Sequence, residues 1–205
     1  MSRAAARRRL IFPLDVDTVR EAERLVRSLA AEVGLFKIGK QLFMHAGPAI
    51  VRRVHAKGGQ VFLDLKFHDI PQTVALAGVE AARLGVRMFN VHASGGREMM
   101  TTTVTAVAEV CRRERLRRPI LLGVTVLTSL VDADLRRVGV SGTAARQVVR
   151  LARLAKASGL DGVVASPREV GAIRRACGPG FVIVTPGIRQ PGDARGDQQR
   201  IATPE

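Results

Sequence analysis

The 205-residue sequence has no tryptophan or tyrosine, aromatic residues make up 3% of it, and it contains only two cysteines. Cys111 and Cys177 lie far apart, with no second cysteine or histidine at ligand spacing, so neither a disulfide framework nor a zinc site is indicated and a reducing cytoplasm fits. No apolar run approaches the length of a membrane span. The opening MSRAAARRRL lacks the apolar centre of a secretory signal, so residues 1–9 read as a basic, frayed tail. Acidic residues are scarce, 18 against 33 basic ones, for a formal charge of +15. That balance favours anionic partners. The shortage of aromatic rings argues against single-stranded nucleic acid, and the arginines are scattered over several helical segments instead of gathered in one tract.

The hydrophobic fraction of 46% suffices for one sizeable core, so residues 10–205 read as a single domain. Its most informative stretch is VFLDLKFHDIPQTV, Val61 to Val74, which passes from apolar strand through charge to a helix start. In an extended strand Phe62, Asp64 and Lys66 share one face, and Val61, Leu63 and Leu65 share the other. A carboxylate and an ammonium inside a buried strand are costly unless paired or used. Asp69 follows at the strand-to-helix corner, where Pro71 suits the first helical turn. Taken alone, Asp64 and Lys66 fit a structural ion pair as well as a working one, and Asp69 fits a helix cap. Three charges at the C-terminal end of one strand tilt the reading toward a ligand site, because ligands of α/β folds bind at that end.

Elsewhere the chain alternates regularly. LIFPLD, LFKIG with Lys37 embedded in it, the Val61 run, VRMFNVHAS, ILLGVTVLTS, DGVVAS and FVIVTPGI read as seven strands, with helical periodicity between them. ILLGVTVLTS ends on Thr128 and Ser129, polar groups able to reach a ligand. Units of roughly thirty residues are the size of a strand-crossover-strand repeat. This pattern predicts a TIM-type (β/α)8 barrel that stops before its eighth strand, and the absence of GxGxxG after the first strand weakens a dinucleotide-binding alternative. The polar stretch after Ile188 reads as a functional loop.

VFLDLKFHDIP, NVHASGG, TVLTS, LDGVVAS and TPGIR with GDQ downstream, in this order and spacing, resemble the orotidine 5'-phosphate decarboxylase family. The resemblance covers nearly the whole chain. It implies a homodimeric barrel that converts orotidine 5'-phosphate to UMP, in pyrimidine nucleotide synthesis, with no metal and no organic cofactor. Carried over motif by motif, Lys66 is implied as proton donor with Asp64 beside it, and Lys37 and Asp69 complete an alternating charged array, Asp69 reaching the neighbouring subunit's site. Asp15 and Lys37 are implied to contact the ribose, Thr73 and Thr128 the nucleotide, and Arg189 and Gln198 the phosphate. No chemical role is implied for His68 or His92. Gln72 stands where the family usually has asparagine, and the Gly-Arg phosphate contact of an eighth strand is missing from the sequence. Two alternatives stay open: a magnesium-dependent sugar-phosphate decarboxylase of the same superfamily, and a truncated, non-catalytic relative that binds nucleotide or RNA.

Overall fold

The computed structural model describes residues 2–188. Its elements are α1 (Arg3–Arg7), β1 (Ile11–Pro13), α2 (Val19–Leu29), β2 (Leu35–Gly39), α3 (Lys40–Ala46), α4 (Ala49–Ala56), β3 (Val61–Phe67), α5 (Pro71–Arg83), β4 (Met88–His92), α6 (Gly96–Arg113), β5 (Ile120–Val124), α7 (Asp132–Arg137), α8 (Ala144–Ala157), β6 (Gly162–Val164), α9 (Val170–Cys177) and β7 (Val182–Val184). Local chemistry sets several of the boundaries. Thr18 and Thr143 accept the amides of Glu21 and Arg146 to cap α2 and α8. Pro71 opens α5 at a position whose amide would have no helical partner.

All seven strands are parallel, and their spatial order is β1-β2-β3-β4-β5-β6-β7. A doubly wound sheet reverses its order at a switch point, whereas a β/α barrel adds each strand beside the last. The observed order is the barrel's.

Two apolar layers follow from strand parity. Val61, Leu63, Phe89, Val91, Leu121 and Val163 face outward into the main core shared with the helices. Leu35, Phe62, Met88 and Leu122 form a smaller inner cluster with Ile11, Val164 and Val182. Gly78 lets α5 lie close over α6 and β4, since a Cβ there would meet Thr103, Val107 and Phe89 side chains at 3.1–3.2 Å.

Three expectations need correction. The basic start is a short helix instead of a frayed tail: Ser2 caps it, and Arg7 donates to the carbonyls of Ala30 and Val33, tying it to the end of α2. The fifth strand ends at Val124, so Thr128 and Ser129 belong to the turn beyond it. The third difference is at Lys66. The β3–β4 register shifts between Leu63 and Phe67, and Lys66 has φ of +53°, so its backbone is not extended, although its side chain still lines the same cavity as Asp64. α3 carried no clear sequence signal, because it starts directly on the glycine that closes β2 and has no side-chain cap.

Candidate active site

The inward parity that buries Leu35, Phe62 and Met88 continues two residues on to Lys37, Asp64 and Asn90, at the C-terminal ends of adjacent strands. Here the side chains change from apolar to charged, and a cavity of about 260 Å³ opens. Asp15, Lys37, Lys40, Asp64 and Lys66 contribute its charged lining.

The charges form one connected array. Lys37 Nζ lies 3.0 Å from Asp15 Oδ1 and 3.8 Å from Asp64 Oδ2, while Lys66 Nζ lies 2.7 Å from Asp64 Oδ1. Asp64 is the desolvated member: its side chain is 13% exposed against 65% for Asp15. Asp64 therefore sits between two ammonium groups and depends on them, since a carboxylate stripped of water needs compensating charge or donors. Lys40, at the start of α3, adds an exposed cation at the rim.

Asn90, absent from the sequence-level candidates, is 1% exposed. Its Nδ2 donates to Asp64 Oδ1 at 2.7 Å, and its Oδ1 accepts the Lys66 backbone N–H at 2.8 Å. The available signal was a lone amide between the apolar Phe89 and Val91. Positive φ sharpens the picture. Among the described residues only Lys66 and Arg115 adopt it without being glycine. Arg115 lies just past the end of α6, where such a turn ordinarily closes a helix. Lys66 has no such excuse within a strand, and backbone strain of this kind gathers at functional sites.

The structure brings Asp15, Lys37, Asp64 and Lys66 together around one cavity, whose lining does not include Asp69, Thr73 or Thr128. Asp69 is exposed beyond β3, absent from the cavity lining, and accepts the N–H of Ile70 at 2.7 Å. That bond serves its immediate neighbour, and α5 itself has no side-chain cap. Thr73 is exposed in the first turn of α5. Thr128 is buried in the turn after β5. Arg189 and Gln198 lie outside the described residues.

His68 and His92 pack with ring centroids 5.2 Å apart and their planes tilted by 35°. Burial, helped by the neighbouring charges of His68, Lys66 and Lys40, pushes the His92 imidazole down to about 4, so it is neutral at ordinary pH. Among the described residues no cluster of three or more His, Cys, Asp or Glu gathers as a metal-ligand set, and Cys111 and Cys177 are free and buried. No described helix is long and apolar enough to cross a membrane.

Residues 8–205 match the family model described as "Orotidine 5'-phosphate decarboxylase / HUMPS family". The chain is similar to the orotidine 5'-phosphate decarboxylase of Syntrophotalea carbinolica, at 59% identity over 97% of this chain and 82% of that one. The corresponding protein of Pelobacter propionicus is 55% identical over the whole of this chain and 84% of its own. Among solved structures, orotidine 5'-phosphate decarboxylase from Lactobacillus acidophilus superimposes with a TM-score of 0.81 at 37% identity, covering 88% of this chain and 81% of that one.

Proposed function

From the premise that the chain belongs to the orotidine 5'-phosphate decarboxylase / HUMPS family, we propose that it converts orotidine 5'-phosphate to UMP, without metal or organic cofactor, as a cytoplasmic step of pyrimidine nucleotide synthesis. The observation that carries this reading is the Lys37–Asp64–Lys66 array at the mouth of the barrel. Loss of carbon dioxide breaks the bond from the ring carbon to the carboxylate and leaves the electron pair on that carbon. Lys66 stabilises the developing charge and then delivers a proton from Nζ to it. At ~4 Å and an effective dielectric near 20, such a charge pair is worth about 4 kcal/mol, so this contact supplies only part of the roughly 8–23 kcal/mol by which enzymes lower barriers. Most of the remainder comes from orientation and from binding energy at the remote phosphate.

Asp64 keeps Lys66 charged and aimed, and it faces the substrate carboxylate, a repulsion relieved as carbon dioxide departs. Lys37 and Asp15, linked at 3.0 Å, form the ribose contact. Thr73 and Thr128 contact the nucleotide, and Arg189 and Gln198 hold the phosphate. The activity is tested by following conversion of orotidine 5'-phosphate to UMP in the presence and absence of EDTA. Undiminished turnover with EDTA is expected. An EDTA-sensitive decarboxylation of a sugar phosphate would replace this reading with that of the metal-dependent branch.

The working unit in this reading is a homodimer in which Asp69 completes the partner's site. Its support is the exposure of Asp69 on a corner outside its own cavity lining, beside Ile70, which is 68% exposed. Lys66→Ala and Asp69→Asn should each be nearly inactive alone. In a mixed dimer one site keeps both residues and the other lacks both. With random subunit exchange half the dimers are mixed, so roughly a quarter of wild-type activity should return. Recovery near zero after verified exchange would place Asp69 in its own barrel's site.

A further inference from the structure

We infer that Asn90 is a positioning residue, which holds the Lys66 backbone in its left-handed turn and fixes the rotation of Asp64, so that one buried amide sets the geometry of both charged groups. The inference rests on the reading of Lys66 and Asp64 as acid and partner.

An amide buried in a barrel strand between apolar neighbours is costly unless both of its ends are satisfied. Both ends of Asn90 go to β3, the donor to Asp64 and the acceptor to Lys66 N–H. The ladder between β3 and β4 is interrupted at this height. With φ of +53°, Lys66 is out of strand conformation and gives its N–H to the Asn90 side chain. A left-handed non-glycine residue and one hydrogen bond are of the same order in free energy. Removing the bond therefore leaves the turn without its support, and an extended backbone there re-aims the ammonium.

The second half of the inference concerns Asp64. Its Oδ1 takes two bonds of 2.7 Å, from Lys66 Nζ and from Asn90 Nδ2, and this leaves Oδ2 turned toward Lys37 at 3.8 Å. Without Asn90 the carboxylate is free to rotate between its two ammonium neighbours. The residue acts through Asp64 and Lys66.

The test uses two substitutions in the full chain. In Asn90→Ala, exchange of the Lys66 backbone amide, followed by NMR on ligand-free protein, should accelerate at least tenfold. The amide of Phe36, bonded to the Gln60 carbonyl at 2.8 Å, serves as the unaffected control. With orotidine 5'-phosphate, kcat should fall about 100-fold while KM changes less than threefold, as expected for misplaced catalytic groups at an intact binding site. Asn90→Asp is nearly isosteric. When protonated, its hydroxyl donates to Asp64 and its carbonyl accepts Lys66 N–H. When ionised, it sets a carboxylate against Asp64. The charged and titratable groups of this cluster and its cavity are Asp64 and Lys66 on β3, Lys37 on β2, Lys40 on α3, Asp15 beyond β1, His92 on β4 and His68 just beyond β3. Its activity relative to wild type should therefore fall as pH rises.

Unchanged Lys66 exchange in Asn90→Ala, unchanged kcat, or a variant-to-wild-type ratio independent of pH would each overturn the inference. If the wild type fails to turn over orotidine 5'-phosphate, the proposed function falls, and amide exchange still decides the role of Asn90. If Asn90→Ala fails to fold, the near-isosteric Asn90→Asp decides it through the same exchange measurement and its pH profile.

Discussion

At the N-terminal end of the sheet, Arg118 donates to both oxygens of Asp161 at 3.0 and 2.9 Å, and Leu121 N–H adds a third bond at 2.8 Å. At the C-terminal end, Asp64 also collects three cationic or amide neighbours, Lys66, Asn90 and Lys37. Both carboxylates are partly buried beside parallel strands, yet the two clusters differ in purpose. The Asp161 cluster is closed: Arg118 and Leu121 stand at the start of β5 and Asp161 just before β6, the backbone is regular, and the bonds tie the two strand starts together. The Asp64 cluster opens on a cavity and includes a strained residue. Satisfied charge at the base of a barrel contributes stability, and strained charge at its mouth is available for chemistry.

The sharpest way to break this comparison is to delete one charge from each end. Lys66→Ala should lower kcat about 10⁴-fold, the upper range for a positioned acid, with only a modest fall in melting temperature, because Asp64 keeps Lys37 and Asn90 as partners. Asp161→Asn should leave kcat/KM within threefold and lose about 1–3 kcal/mol of stability in urea, because a charge-assisted contact is weakened and Arg118 is left without its counter-charge. Loss of turnover on changing Asp161, or of stability alone on changing Lys66, would erase the distinction.

A smaller effect tests the strain directly. Glycine normally weakens a strand, but at a φ of +53° it is the residue the backbone prefers. Lys66→Gly should therefore be more stable than Lys66→Ala by about 1 kcal/mol in denaturant titration. The reverse order would mean that the left-handed turn is not present in solution.

The smallest expected effect is on acid stability. His92 is held down to about 4, whereas an unfolded histidine titrates near 6.5, so between these values the unfolded chain binds the extra proton. The stabilising contribution is complete above about pH 6.5 and declines as pH falls toward 4. His92→Gln should flatten that decline, by about 1 kcal/mol or less since the ring is only partly buried. Parallel stability curves for the two proteins between pH 4 and 6.5 would remove His92 as the source.

Strand parity and the alternation of strands with helices were enough to read the barrel and to put Asp64 and Lys66 on one face of their strand, because which face a side chain takes is a property of local backbone geometry. The motif runs identified the family for the same reason: residue type and spacing are written in the chain. Asn90 was not legible as a partner, since a single amide between apolar residues says nothing of which neighbour will meet it 24 or 26 residues away. Nor was the left-handed turn at Lys66, where propensity and alternation both favour an extended residue and only a cross-strand bond supports the alternative. The separation of Asp69 from its own cavity lining likewise depends on how the β3–α5 corner projects from the assembled sheet. Sequence by itself determined the order of elements, the inner face and the charges placed on it. Tertiary structure decided which of those charges meet and in what conformation, because long-range hydrogen bonds between adjacent strands outweigh local backbone preference at the mouth of the barrel.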